Sequence, residues 1–352
     1  MPRHRILLTF GGRSGEHDIS VISASNILPF FDPERHEVLL LHIQKDGRWE
    51  LCDRAAFKTD CSKIDELLPT VRGRPVFLSI GGPSGSHIVD AQSGEAVYFD
   101  AVFSVLHGPN GAGGVMQGLW RAAGIPATGP SLIGAAIGFD KEVSKRLMIE
   151  AGLPVCSYRM LHEADVDETH FRVLERLFGL PFLMKPANSG SSLGVHKVTN
   201  ETDFFDAAKD ILQYDKKILS EEFIVGNDLE VHCVGDYNHA TTSIVGETVT
   251  GDDFYSYEAK YVQKRFPKNI PADIPDAIAN EARSLSEKAF FILEGRGYAR
   301  VDLFYSVDGR LLLNEINTNP ALFNINHRKT PLPESGIPYG KLIDRLIDQA
   351  VS

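Results

Sequence analysis

Two apolar runs near the carboxyl end, Tyr298–Ser306 and Arg310–Ile316, flank Asp308-Gly309, a dipeptide that favours a two-residue hairpin turn. If that turn sets the register, Arg300 lies opposite Asn317 and Asp302 opposite Glu315. All four then share one face, because alternate residues of a strand point the same way. Two carboxylates held opposite each other at about 5 Å repel and destabilise the pair. A divalent cation turns that cost into a binding site, since Mg²⁺ takes carboxylate oxygens together with substrate phosphates. The plainer alternative is a solvated outer face, where the repulsion is weak. It accounts poorly for Tyr298 and Phe304 on the same face, while Arg300 and Asn317 complete a polar cluster. A metal–phosphate site is therefore the favoured expectation.

Three other segments can serve such a site. In Lys185-Pro-Ala-Asn-Ser-Gly-Ser-Ser-Leu-Gly194 a strand ends in lysine and a small-residue turn feeds the next strand. Backbone N–H groups and hydroxyls of such a turn can cradle a phosphate. The GxxxxGK[ST] pattern is missing, so it is not a P-loop, and an ordinary flexible turn is the competing reading. Phe254-Tyr-Ser-Tyr-Glu-Ala-Lys-Tyr261 places Lys260 and Tyr261 where they could close over a phosphorylated centre, or else forms a surface aromatic hairpin. Gly11-Gly-Arg-Ser-Gly-Glu-His-Asp-Ile-Ser20 follows the first strand without GxGxxG. Its Glu16 could hold an ammonium group, or simply serve as a helix-start carboxylate favoured by the dipole.

The rest of the chain sets limits. Its 352 residues predict two or three compact domains with ample core. Thirty-six basic against 47 acidic residues give a net charge of -11, which argues against a broad nucleic-acid footprint. No apolar stretch is long enough to span a membrane, and the run Ile6–Phe10 is too short for an export signal. The scattered cysteines (Cys52, Cys61, Cys156, Cys233) show no metal spacing, so a cytoplasmic protein with reduced thiols is expected. The opening reads strand (Arg5–Phe10), glycine turn, helix (Ser20–Phe31), strand (Glu37–Ile43), a βαβ start that predicts a mostly parallel sheet. Residues 44–100 read as a weakly patterned decoration. A strand at Ala101–Leu106, a helix from Val115, a helix carrying Asp140-Lys141, strands at Phe182–Lys185, Val195–Val198 and Ile218–Phe223, and an amphipathic helix Tyr339–Val351 complete the outline. The expected division is 1–129, 130–218 and 219–352.

Together, GGRSGEHDIS, LHGPNG with its following GxxQG, the Asp140-Lys141 helix, KPANSGSSLGV, FYSYEAKY, Arg300-Val-Asp302 and NEINTNP resemble the ATP-grasp superfamily. Within it they are similar to the D-alanine–D-alanine ligases, essentially from end to end. The resemblance implies three α/β and α+β domains, the first Rossmann-like, with ATP between the central and C-terminal ones. It implies that Lys141, Lys185, Ser191, Ser192 and Lys260 contact ATP phosphates, with Glu221 and Phe223 in the adenine segment. Asp228 stands where the family usually has a ribose-binding glutamate. Asp302, Glu315 and Asn317 would bind two Mg²⁺, or Mn²⁺, in agreement with the hairpin argument. Glu16, Ser191 and Tyr261 would form a hydrogen-bonded trio, with Glu16 orienting the first amine and His107 beside the substrate. Arg300 and the backbone N–H of Ala321 would form the oxyanion site. The implied reaction makes D-alanyl-D-alanine for peptidoglycan precursors in a homodimer, with small-molecule partners only.

Two places depart from the family pattern. Ala112-Gly113 replaces the usual glutamate–aspartate pair of the first-domain glycine loop. After NEINT, the chain reads Asn319-Pro-Ala-Leu-Phe-Asn-Ile-Asn-His-Arg-Lys329, which puts Asn326 at a usual serine position and His327 at a hydrophobic one. That segment would hold the second substrate's carboxylate. A solvated basic turn and an altered acceptor site are both compatible with it. A ligase using another acceptor and a nucleotide-binding protein without turnover therefore stand as alternatives. Retention of Lys185, Lys260, Arg300, Asp302, Glu315 and Asn317 speaks against the second.

Overall fold

The computed structural model describes residues 3–81, 85–249, 267–321 and 330–352. Three sheets organise them. The first has seven strands in the order Ala96–Val97, His87–Asp90, Gly73–Ser79, Trp49–Cys52, His36–Ile43, His4–Gly11, Ala101–Ser104. Only His36–Ile43, His4–Gly11 and Ala101–Ser104 run parallel, and the others are antiparallel. The expected mostly parallel sheet is thus confined to the βαβ start. The stretch read as a decoration supplies the four remaining strands as a meander, whose short segments give little periodicity to read.

The second sheet has the order His196–Val198, Phe182–Pro186, Ile218–Glu222, Tyr158–Leu161. Helices Glu168–Phe178 and Glu201–Ile211 cover one face, burying Phe171, Phe182, Phe204 and Ile211. Asp167 and Asn200 cap these helices by accepting from the third residue's N–H. The third sheet runs Lys268–Asn269, Gly246–Thr248, Gly226–Gly235, Gly297–Ser306, Leu311–Asn317, with Ala240–Thr242 pairing off Gly226–Gly235. The 17-residue helix Asp276–Ile292 packs Ala282, Ala289 and Phe290 against it. The closing helix Tyr339–Val351 matches its expected bounds. Its Leu342, Ile343, Leu346 and Ile347 pack into the core of the first sheet with Ile6, Leu8 and Phe103.

The hairpin reaches its expected pairing by an unexpected route. Ser306 N–H donates to the Arg310 carbonyl, leaving a three-residue loop with Gly309 in the left-handed region at φ 86°. Tyr305 consequently faces Leu311, one residue off the register of a two-residue turn. A bulge then inserts Asn314 between the pairs Leu303–Leu313 and Asp302–Glu315, and the lost residue is restored. Arg300 therefore faces Asn317 and Asp302 faces Glu315, as expected. The bulge also switches the inward side: Leu311, Leu313 and Ile316 are in the core, whereas Asn314, Glu315 and Asn317 line the cleft.

Helix His17–Ile27 is tied to the sheet at its first turn by a buried histidine pair. His17 Nε2 lies 3.0 Å from His42 Nε2, and His17 Nδ1 lies 2.9 Å from Asp18. Burial, with the neighbouring His17 charge, pushes His42 down to about 4. The unfolded chain takes up that proton near pH 6.5 and the folded one does not, so stability falls as pH drops from 6.5 towards 4. At about 1.4 kcal/mol per pH unit, the loss between pH 6.5 and 5 is about 2 kcal/mol. Urea unfolding of His42→Gln should show an acid-side slope reduced by this amount; an equally steep loss in the variant would remove His42 as a source of it.

Candidate active site

A cleft of about 500 Å³ opens between the three sheets and collects nearly every predicted site residue among the described positions. Its walls come from elements with simple local causes. In Phe182–Pro186, Phe182 and Met184 enter the core of the second sheet, so Lys185 points the other way. Helix Lys141–Glu150 starts where Asp140 accepts from the N–H of Glu142 and Val143, each at 3.1 Å. That start aims Lys141, on the first turn, at the loop carrying Ser189 and at the hairpin.

The charges in the cleft are paired across these elements. Lys141 Nζ donates to the Ser189 carbonyl at 2.5 Å and lies 3.2 Å from Glu315 Oε2. Arg300 clasps Asp302 with two hydrogen bonds of 2.6 Å. Lys185 Nζ contacts Glu221 Oε2 at 2.5 Å and donates to Asn314 Oδ1 at 3.2 Å. The other Glu221 oxygen lies 2.8 Å from Lys145, whose side chain is wholly buried. Burial alone raises the Glu221 carboxyl, but Lys145 and Lys185 outweigh it and hold it low. Burial likewise lowers Lys145, and Glu221 raises it further, so the buried ion pair stays ionised. Burial raises Glu315, but Lys141, Lys185 and Arg300 outweigh it and hold it at about 2.

The glycine-serine turn meets the first sheet here. Ser191 donates its hydroxyl proton to Glu16 Oε1, joining two of the three residues of the expected trio. Ser191 and Ser192 both have left-handed backbones, φ 56° and 59°. A Cβ at Gly190 would sit 3.1 Å from Glu16 Oε2, so a larger residue there would push that carboxylate aside by a few tenths of an ångström. His107 is buried beside them, with Nε2 3.3 Å from Ser23 Oγ. Burial pushes its pKa down, against the pull of Glu16. At the other end Phe223 lines the cleft with Lys197 Nζ 4.4 Å above its ring, and Asp228 lines it nearby. Asn319 Nδ2 donates to the Leu106 carbonyl at 2.7 Å, joining the end of the hairpin to the first sheet, and Ala321 follows on the cleft wall. Lys260, Tyr261, Asn326 and His327 lie outside the described residues.

Asp302, Glu315 and Asn317 present hard oxygen donors on one face, a donor set that fits Mg²⁺. Among the described residues no three His, Cys, Asp or Glu side chains form a metal set, so the asparagine oxygen is needed to complete this one. Arg300 and Lys141 meanwhile balance the two carboxylates.

Sequence reasoning missed Lys145, Asn314, Glu230 and Lys268. Lys145 was within reach, since it lies one helical turn beyond Lys141. Asn314 depends on a bulge, and Glu230 on a strand register that no local pattern reveals. Glu230 faces Asp302 across the sheet, and both its oxygens lie 2.7 Å from Lys268. Glu230 is held well below the usual carboxylate range, because Lys268 outweighs burial.

Three sheets around a cleft lined with paired lysines, a glycine-serine turn and opposed carboxylates make up the architecture of an ATP-grasp enzyme. The model of the D-ala D-ala ligase N-terminus matches residues 5–130, and that of the D-ala D-ala ligase C-terminus matches residues 147–348. A D-alanine–D-alanine ligase of Oceanobacillus iheyensis is 38% identical over 99% of this chain and 95% of its own. D-alanine–D-alanine ligase A of Chromobacterium violaceum is 36% identical over 100% of this chain and 96% of its own. The solved structure of the D-alanine–D-alanine ligase from Coxiella burnetii superposes with a TM-score of 0.84 at 26% identity, covering 99% of this chain and 95% of that one. The chain belongs to the D-ala D-ala ligase family.

Lys145→Met keeps the volume but removes one of the two cations on Glu221. Breaking a buried pair in this way should cost about 3 kcal/mol of stability, read from the urea midpoint. Measured ATP affinity should fall as well, because Lys185 is then left as the sole partner of Glu221 among the described residues. Unchanged affinity in the folded variant would confine Lys145 to a packing role.

Proposed function

We propose that this chain joins two molecules of D-alanine into D-alanyl-D-alanine at the expense of ATP, supplying peptidoglycan precursors. The carrying observation is the family match over both halves of the chain, supported by a cleft that is lined by the residues expected on the donor side. We further read residues 1–129, 130–218 and 219–352 as the three domains and the protein as a homodimer. No described helix is long and apolar enough to cross a membrane.

The chemistry follows from what a carboxylate needs. It is a poor electrophile, so the first D-alanine's carboxylate attacks the γ-phosphorus of ATP, giving an acyl phosphate and ADP. Phe223 and the Glu221 segment would take adenine, Asp228 the ribose, and Lys141 and Lys185 the phosphates. Ser191 and Ser192, with Lys260, would close on the γ-phosphate. Mg²⁺ bound by Asp302, Glu315 and Asn317 would neutralise phosphate charge. In the structure Glu315 is paired with Lys141, Asp302 with Arg300 and Glu221 with Lys185, and an arriving polyphosphate would compete for Lys141 and Lys185. Glu16, already bonded to Ser191, would orient the first ammonium group, with His107 beside it. The second amine then attacks the acyl carbon. Arg300 and the Ala321 backbone N–H would stabilise the oxyanion before phosphate leaves. Tyr261 would complete the trio and, with Asn326 and His327 at the second substrate's carboxylate, exclude water that would hydrolyse the acyl phosphate.

Phosphate release with Mg-ATP and D-alanine, with products identified by mass, tests the reading: D-alanyl-D-alanine is expected from D-alanine alone. Turnover only with a different second substrate would reassign the acceptor, and none with any would remove the ligase reading. In Glu315→Gln, metal-dependent turnover should fall at least a hundredfold with the fold intact by circular dichroism; undiminished turnover would sink the metal assignment.

A further inference from the structure

The link between helix Glu201–Ile211 and strand Ile218–Glu222 ends in Asp215-Lys216-Lys217, none of which lines the cleft. No role proposed above uses this segment. Two of its side chains nevertheless reach the elements that carry the phosphate contacts. Asp215 Oδ2 accepts from the backbone N–H of Asn188 at 2.7 Å and from Asn188 Nδ2 at 3.1 Å, and Asn188 opens the glycine-serine turn. Asp215 Oδ1 accepts the Lys217 N–H at 3.2 Å, which fixes the carboxylate in place. Lys217 Nζ donates to Asp140 Oδ2 at 2.8 Å and to Glu142 Oε2 at 3.2 Å, at the start of the helix that carries Lys141.

The main chain repeats the connection. Ala187 N–H donates to the Lys217 carbonyl at 3.3 Å, and the Ala187 carbonyl accepts the Lys141 N–H at 3.0 Å. The far end of the turn is tied to the same region, since His196 Nε2 lies 2.7 Å from Asp210 Oδ2 on helix Glu201–Ile211. Exposed ion pairs contribute little, but the side chains of Asp140 and Glu142 that Lys217 bridges are only 16% and 13% exposed. Burial raises the Asp140 carboxyl, and Lys217 outweighs it and holds it low, so a charged acceptor caps the helix. The turn needs such anchors. Ser191 and Ser192 have left-handed backbones, which are costly for residues with a Cβ and persist only where surrounding contacts hold them.

We propose that Asp215 and Lys217 are positioning residues for phosphoryl transfer, holding the glycine-serine turn and Lys141 in register so that both meet one phosphate. The inference rests on the ligase reading. Asp215 grips the turn at its first residue and Lys217 grips the helix at its cap, so one short segment sets the spacing between Ser191 and Lys141. Lys141 Nζ already touches the turn, donating to the Ser189 carbonyl. Loss of either grip leaves the phosphate-binding groups present but loosely placed relative to one another. Transfer then slows. A turn that closes imperfectly also admits water to the acyl phosphate. Water attacks that intermediate and returns D-alanine and inorganic phosphate, so ATP is consumed without a peptide bond.

The test measures phosphate released and dipeptide formed side by side in the full chain, with Mg-ATP and D-alanine. Wild type should release phosphate and dipeptide in equal amounts. Lys217→Met and Asp215→Ala should each lower kcat roughly tenfold, while the KM for ATP stays within about threefold. In both, phosphate release should exceed dipeptide formation by about twofold or more. Lys217→Arg keeps a cation within reach of Asp140 and Glu142 and should restore the coupling. Coupling that stays at the wild-type value in both Lys217→Met and Asp215→Ala would overturn the proposal, whatever happens to kcat. A merely structural role lowers the amount of active enzyme without changing its product ratio. An arginine variant as uncoupled as the methionine one would also overturn it. A wild type that makes no dipeptide from D-alanine would instead overturn the ligase reading itself, and this inference with it.

Discussion

Four carboxylates at the centre of this cleft are each held by a cation, and only Asp302 finds its cation on its own strand. Glu315 meets Lys141, Asp302 meets Arg300, Glu221 meets Lys145 and Lys185, and Glu230 meets Lys268. The helix Lys141–Glu150, the second sheet and the hairpin are thereby fixed relative to one another by charge as well as by packing. A buried carboxylate without such a partner would cost several kcal/mol or take up a proton. With its partner, it remains ionised and ready to exchange one cation for another. The arrangement suits a site that must admit a polyphosphate, because the lysines are already present and desolvated before it arrives.

The same compensation accounts for what was legible in the sequence. The hairpin could be read because its determinants are local: two apolar runs, a turn dipeptide and alternation. Even so, the correct pairing of Asp302 with Glu315 arises from two offsetting features, a three-residue loop and the bulge at Asn314, neither of which the turn dipeptide announces. The glycine-serine turn and Glu16 were readable by type, yet their contact spans 175 positions and depends on how two sheets meet. Glu230 was opaque, since its significance lies in which residue faces it across the strands.

The first sheet shows the converse limit. Its parallel centre follows from the βαβ start, whereas residues 44–100 add antiparallel strands of only two to seven residues. Strands that short carry too few alternations to declare themselves, and only pairing with neighbours defines them. The helix Asp276–Ile292 was missed for a different reason. It follows a strand-rich stretch, and its small residues Ala282, Ser286 and Ala289 bury a face without forming an obvious apolar stripe.

The bulge at Asn314 has one more consequence. It makes the hairpin a parity device, in which the count of residues between Leu303 and Glu315 decides whether the acidic side chains look into the cleft or into the core. A change of one residue within the paired part of that interval reverses inside and outside for everything beyond it, while a change of two leaves the sides as they are. Length variation within the paired strands is therefore constrained to even steps, whereas the loop around Gly309 can absorb any number of residues without changing which way the strands face.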